Sequence, residues 1–267
     1  MNYQLILLFL MLFSGGIIAG FLSGLLGIGG GVVYIPLLMF VAQLSIIEPL
    51  SSIHVIIATS LFAGMFSSSM SFYYNKKTKN LNFKDGILLA IGAVLAGLIV
   101  PHFIVKVESD KMKILIGTAV GLIGLFMLFE DRLKLSNKIK LPRWSLFITG
   151  VLIGTLSVSV GLGGGVFYTP VLVYLYSFDI KKAIGTAIVA VASTMLVSCS
   201  MFMFFTGSVS GDYQIGYVNL FAALPLAVGA SIGPRIGVNL LHKVSLTLLR
   251  KIFSIFLILY SLKMFGI

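Results

Sequence analysis

Long apolar stretches separated by short polar ones run the length of this chain. They extend from Tyr3 to Leu26, Ile53 to Tyr74, Gly86 to Val105 and Ile114 to Phe129, then from Trp144 to Val160, Ala183 to Thr206, Ile215 to Gly233 and Leu246 to Phe265. Most approach the roughly 20 residues that a helix needs to cross about 30 Å of hydrocarbon. Eight spanning helices are therefore expected. Two further pieces, Val32 to Leu44 and Val166 to Phe178, are too short, because thirteen residues of helix reach only about 20 Å. Pro36 and Pro170 are expected in the first turn, where proline fits best, which shortens the regular helix further. These pieces read as half-helices.

Each half-helix follows a run of glycines. Gly27-Ile28-Gly29-Gly30-Gly31-Val32-Val33-Tyr34-Ile35-Pro36 returns 134 positions later as Gly161-Leu162-Gly163-Gly164-Gly165-Val166-Phe167-Tyr168-Thr169-Pro170, with seven of the ten positions identical. Upstream, Gly20, Leu22 and Ser23 match Gly154, Leu156 and Ser157. Downstream, Ala58-Thr59-Ser60 falls where Gly185-Thr186-Ala187 falls, and Pro101 pairs with Pro234 near the end of a helix. A glycine run costs chain entropy unless an unwound backbone is wanted there. Within a membrane such backbone is tolerated only when buried in protein or lining a polar cavity. Matching breaks in two halves point to a transporter's binding site; close helix packing is the competing reading.

Composition fixes the class. The chain has 267 residues, of which 58% are hydrophobic and 10% charged, with mean hydropathy +1.10. A soluble domain carries about 25% charged residues, so this is an integral membrane protein. The net charge of +11 does not make nucleic acid an expected partner, since the basic residues sit in short loops between apolar segments. If each glycine run is the tip of a hairpin whose ends share a side, all 19 Lys and Arg but Lys106, Lys111, Lys113 and Lys263 fall on one face. By the positive-inside rule that face is cytoplasmic. A hairpin plus three spanning helices is an odd unit, so the second half enters the membrane upside down. The expected fold is an all-α polytopic membrane protein of two inverted-topology repeats, with about eight spanning helices plus two Gly-broken half-helices. Residues 1–130 form one repeat, 131–143 a polar cytoplasmic linker, and 144–267 the second repeat, with both termini extracytoplasmic. The N-terminus has no basic region ahead of its long apolar stretch, so a cleaved signal peptide is not expected.

The candidate chemistry is that of anion binding. Consecutive backbone N–H groups at the tips, followed by a helix start, suit a negative charge. The candidate substrate-binding residues are Gly29, Gly30 and Gly31 with Gly163, Gly164 and Gly165, then the hydroxyls of Thr59, Ser60 and Thr186. Tyr34 and Tyr168 are candidate phenolic donors, with core packing as the alternative. The glycines of Gly117-Thr118-Ala119-Val120-Gly121 and of Gly229-Ala230-Ser231-Ile232-Gly233 read instead as helix packing. All eight carboxylates lie in loops or at segment ends, which leaves no material for a proton relay in mid-membrane. Neither metal ligands at binding spacing nor an activated nucleophile stands out, so no metal, no cofactor and no catalysis is expected. Cys199, the lone cysteine, reads as a small buried hydrophobe.

The duplicated Gly-Gly-Gly-x-x-x-x-Pro, ending in Pro36 and Pro170, together with Gly185-Thr186, resembles the sulfite exporter TauE/SafE family of membrane permeases. The similarity runs from about Gly20 to Phe265. It implies a multi-pass transporter of the cell membrane, with sulfite, a sulfonate or another sulfur-containing anion as substrate. One departure is that the first copy has Ala58-Thr59 where the second has Gly185-Thr186, so the half-sites are expected to be unequal. The expected partners are a small anion and the lipid bilayer, and a homo-oligomer is compatible with the sequence. A passive anion channel and a non-transporting membrane scaffold are the alternatives.

Overall fold

The computed structural model describes residues 3–44, 50, 52–129, 141–207, 209–241, 243 and 246–265. Ten helices account for nearly all of it: α1 Tyr3–Leu26, α2 Gly31–Gln43, α3 Ile53–Lys77, α4 Phe83–Ile104, α5 Ser109–Phe129, α6 Ser145–Val160, α7 Gly165–Leu175, α8 Ile180–Phe204, α9 Leu220–Leu240 and α10 Leu246–Met264. Among the described residues, α1, α3, α4, α5, α8 and α9 are each long and apolar enough to cross a membrane. Of the other two stretches expected to span, one forms α6, a shorter apolar helix of 16 residues, and the other the 19-residue α10. The all-α, multi-pass architecture read from hydropathy is what the chain adopts. The linker expected at 131–143 lies largely outside the described residues, as do Glu48, Glu130 and Asp131.

Two differences from the hydropathy reading have local causes. The stretch from Ile215 does not begin a helix. Gln214–Ile215 pairs with Val218–Asn219 as a short antiparallel hairpin, with Gly216 at φ 60° in the turn, and α9 starts only at Leu220. Glycine at positive φ is what a two-residue hairpin turn requires. Likewise Pro36 and Pro170 are not in the first turn. Each is the sixth residue of its helix, because Gly30 and Gly164 at φ 81° and 82° already start α2 and α7. The open ends of the two half-helices thus lie at the glycines themselves.

The packing of the two halves interlocks. α1 lies along α9, and α6 lies along α4. Gly16, Gly20 and Gly24 on α1 face Gly229, Gly233 and Gly237 on α9 in ascending order, so these helices are parallel and their backbones touch. Gly150 and Gly154 on α6 meet α4 at Leu89, Ala93 and Ala96 in the same sense. In the absence of a hydrophobic drive between helices in lipid, such small-residue rows allow the close approach that holds them together. α3 and α8 cross at the centre, each also touching a half-helix, α2 and α7 respectively. α5 and α10 pair antiparallel, with Gly121 against Ser261.

Helix directions follow from the contacts. The N-terminus of α4 lies by that of α6, where Arg143 Nε is 3.6 Å from Asp85 Oδ1, and by the start of α8, where Gly185 packs on Asn80 and Leu81. Lys76, Lys77, Lys79, Lys84, Arg143, Lys181 and Lys182 therefore share one end of the bundle. Asp85 is buried in the first turn of α4 and accepts from Asn82 Nδ2 at 2.6 Å. It is a carboxylate at a helix start, which complements the helix dipole.

Candidate functional site

The two glycine runs meet in the interior of the bundle. A Cβ placed on Gly31 would press on the Gly161 carbonyl and on Leu162, and one on Gly165 would press on Gly27 and Ile28. The contacts are reciprocal: each tip is crossed by the other, backbone on backbone. Gly27, Gly29, Gly30 and their counterparts Gly161, Gly163, Gly164 all have φ between 69° and 82°. That left-handed region costs a residue with a side chain roughly 1–2 kcal/mol, and glycine nothing.

Side chains from α3 fix the carbonyls of both tips. Ser67 donates to Gly29 O at 3.0 Å and Ser60 donates to Gly161 O at 2.7 Å. Ser71 donates to Ser23 O at 3.2 Å. On the other side of each tip a helix begins. Val33 and Tyr34 donate to Gly30 O, and Phe167 and Tyr168 donate to Gly164 O. The first N–H groups of a helix have no intrahelical acceptor, so each tip presents unpaired donors at the positive end of a helix dipole. Neither N-cap has a side chain to satisfy them.

Around these donors lie buried hydroxyls without partners. The Oγ atoms of Ser23 and Ser157, which hold matching positions, make no hydrogen bond, and both residues are fully buried. A Cβ on Gly164 would lie 2.9 Å from Ser157 Oγ, so this hydroxyl sits over the tip. The Tyr34 ring folds back over Gly30, its hydroxyl 2.8 Å from where a Cβ would be. That hydroxyl lies beside Ser67 without bonding to it. Tyr168 covers Gly164 in the same way but donates to Gly150 O at 3.2 Å. Ser198 on α8 is also buried and unpaired, but its hydroxyl faces Gly97 of α4, not a tip. Burying a hydroxyl without a partner costs about 1–3 kcal/mol, and native proteins keep few such groups.

The sequence-predicted residues divide by role. Gly29, Gly30, Gly163 and Gly164 meet side chains; Gly31 and Gly165 meet the opposite tip's backbone. Tyr34 and Tyr168 are fully buried against the tips. Ser60 touches the second tip directly. Thr59 and Thr186 are turned to other work. Thr59 Oγ1 accepts from Asn219 N–H at 3.1 Å and Thr186 Oγ1 accepts from Asn82 N–H at 3.0 Å. Asn219 and Asn82 in turn cap α9 and α4 through their side chains. The pair therefore anchors the start of one helix in each half to the core helix of the other. With Asn82 opposite Asn219 and Gly92 opposite Gly229, Pro101 and Pro234 fall one turn out of register and are not counterparts.

Sequence reasoning passed over Ser67, Ser71, Thr194, Met195 and Ser198 on the core helices. It used Ser23 and Ser157 only to extend the repeat. Their match within apolar helices was the available signal. Two larger cavities, about 490 and 580 Å³, lie elsewhere, on the outer sides of α2 and α7. The first is bounded by Val33, Leu37, Phe40 and Tyr260, the second by Phe126, Phe167, Val171 and Tyr174. Neither is lined by Gly29, Gly30, Gly163 or Gly164, and their apolar walls suit hydrocarbon and not an anion.

Comparison with known proteins agrees with this architecture. A family model described as sulfite exporter TauE/SafE matches residues 12–264. A probable membrane transporter protein of Haemophilus influenzae is 29% identical over 255 residues, covering 94% of this chain and 95% of that protein. The probable membrane transporter protein MJ0441 of Methanocaldococcus jannaschii is 27% identical over 250 residues, covering 92% and 91%. YunE of Bacillus subtilis, also named a probable membrane transporter protein, is 26% identical over 272 residues. No solved structure gives a significant match.

Proposed function

The chain belongs to the sulfite exporter TauE/SafE family, and from that premise we propose that it is a secondary transporter for a small oxyanion or organic sulfur anion. Membership and the names of its relatives make it a multi-pass membrane transporter. The substrate class and the site are our reading. One observation carries it: two helix N-termini with unpaired donors meet in the interior beside the buried, partnerless hydroxyls of Ser23, Tyr34 and Ser157. Unmet donors concentrated where two helix dipoles are positive suit an anion. The proposed ligand set is Gly29, Gly30, Gly163 and Gly164 by their backbone, with Tyr34, Tyr168, Ser60 and the two serines. Gly31 and Gly165, whose N–H groups are the first of α2 and α7, complete the set, and Thr59 and Thr186 support it from behind.

Interlocked halves joined by matching contacts support an inverted repeat, in which one half rocks against the other around a fixed site. Lys and Arg collected at one end of the bundle support a cytoplasmic placement of that end. With Cys199→Ser as background, a cysteine at Gly211 is then labelled by an impermeant thiol reagent from outside, and one at Lys243 is shielded. Labelling at Lys243 without labelling at Gly211 reverses the orientation.

Substrate is tested by ligand-induced thermal stabilisation of the purified protein, since a ligand that binds only the native state raises its stability. Sulfite, sulfate, thiosulfate, sulfoacetate, taurine and non-sulfur anions form the panel. Stabilisation by an oxyanion, with saturable exchange of the labelled anion in proteoliposomes, is the expected result. Flux that never saturates makes the protein a channel. Stabilisation by none of them, with no flux, leaves a scaffold.

A further inference from the structure

The reciprocal bonds of Thr59 and Thr186 set α3 and α8 in register with each other. In that register Ser67 corresponds to Thr194 and Ser71 to Ser198, so both central helices carry hydroxyls at those two places. Two other places are unlike. Gly64 and Ser68 on α3 correspond to Val191 and Met195 on α8. Small residues on one side are matched by large ones on the other.

The single long side chain fills what the small ones leave. Met195 is fully buried, near the middle of α8. A Cβ on Gly29 would lie 2.9 Å from its Cε, and one on Gly64 would lie 2.6 Å from both Cε and Sδ. A Cβ on Gly163 would overlap the Met195 methyl outright. Glycines of α3 and of the second tip thus give way to one thioether, and that of the first tip to it together with Val191, whose Cγ1 would lie 2.7 Å from a Cβ on Gly29. Gly64 is helical, with no conformational demand for glycine, and room for Met195 is its visible purpose. A thioether keeps no hydrogen bond that it must break in order to move, and methionine has three rotatable side-chain bonds.

We propose that Met195 is the gate between the two glycine half-sites, whose swing to another rotamer opens the space bounded by Gly29, Gly64 and Gly163 to a passing oxyanion. In the present arrangement the gate is shut. The Gly29 carbonyl at the edge of that space is covered by the Ser67 hydroxyl, which donates to it at 3.0 Å, and the width of the space limits the size of anion that crosses. The proposal rests on the transporter reading above.

Proteoliposomes loaded with unlabelled sulfite, or with none, and given labelled sulfite outside test it; labelled sulfate and taurine are run in parallel. Met195→Ile keeps bulk but locks χ1, because a β-branched residue in a helix has one strongly preferred rotamer. It should slow exchange by about tenfold while sulfite still stabilises the purified protein as in the parent, a barrier change of about 1.4 kcal/mol. Met195→Ala removes the plug and should raise flux into vesicles holding no counter-anion by about tenfold or more, with weaker discrimination among the three anions. Should one variant fail to purify as folded protein, the other decides. Parental exchange and leak in the folded variants overturn the gate and leave the transporter reading intact. A parent that binds and moves none of the three anions overturns both.

Discussion

Gly233 and Gly164 are both buried glycines in apolar sequence, yet an added side chain would meet quite different surroundings at the two. At Gly233, in mid-helix, a Cβ would run into the backbone of α1 at Ile17 and Phe21. At Gly164, where φ is 82°, it would meet the Tyr168 ring at 2.8 Å and Ser157 Oγ at 2.9 Å. The first glycine exists so that two helices can touch. The second exists so that the chain can turn, and what surrounds it is side chains that rotate. Rows of the first kind join α1 to α9 and α4 to α6, tying each half to the other along parallel helices. Runs of the second kind end in open helix termini. A fold stitched by backbone contact can hold a loop whose own neighbours remain adaptable, which is what a site that binds and releases an ion needs.

The comparison breaks first under valine. Gly233→Val forces branched carbons against the α1 backbone, and overpacking of that kind costs about 3 kcal/mol or more. The expected outcome is loss of folded protein on size exclusion, or a steep fall in Tm. Gly30→Val and Gly164→Val should still yield folded protein while weakening anion binding by roughly ten- to a hundredfold, the worth of about 1.5–3 kcal/mol in charge-assisted hydrogen bonds. Gly121→Val, which meets only the Ser261 side chain, should lower Tm without a selective loss of ligand response. Folded tip variants with parental affinity for sulfite would make the tips structural, no different from the seams.

The serines sharpen the contrast. Ser23→Ala and Ser157→Ala each delete a hydroxyl that has no partner, so Tm without ligand should hold or rise slightly. A buried polar group left unsatisfied is a cost, and removing it relieves that cost. Anion affinity should nevertheless drop by about tenfold for each, roughly one charge-assisted hydrogen bond. A fall in Tm with unchanged affinity in both would make them packing residues of α1 and α6.

How far the sequence reached follows the same division. Long apolar blocks made the spanning helices legible, because a backbone facing lipid must satisfy its own hydrogen bonds, and one continuous apolar segment does so as a helix. The duplicated run marked both tips, since each repeats glycine where only glycine fits. Other features depend on contacts between distant segments, and composition carries no trace of those. Thr59 and Thr186 read as ligands, yet in the fold each holds the first residue before a helix more than 100 positions away. Met195 reads as one methionine among 11 until Gly29, Gly64 and Gly163 are seen to surround it. The start of α2 and α7 at glycine, ahead of proline, could not be read from proline's preference alone, because the left-handed N-cap decides it.

The smallest effect concerns the two tyrosines, which hold matching positions and differ by one hydrogen bond. Tyr168 donates to Gly150 O, whereas the Tyr34 hydroxyl has no partner. Tyr168→Phe should therefore cost about 0.5–1.5 kcal/mol, the net worth of a neutral hydrogen bond. The lower end is expected, because that carbonyl sits within α6, where the helix already supplies a donor. Tyr34→Phe should cost nothing in the absence of ligand. With sulfite present the order should invert: the hydroxyl that is free is the one able to bind the anion, so Tyr34→Phe should lose about threefold to tenfold in affinity and Tyr168→Phe less. Titrations of both variants read by thermal stabilisation separate these terms, since the ligand-free Tm reports the structural bond and the dose dependence reports the ligand. Equal losses of affinity would make the half-sites alike in how they hold the anion. Parental affinity in both would reduce the tyrosines to packing over Gly30 and Gly164, and leave the backbone donors and the serines to carry the site.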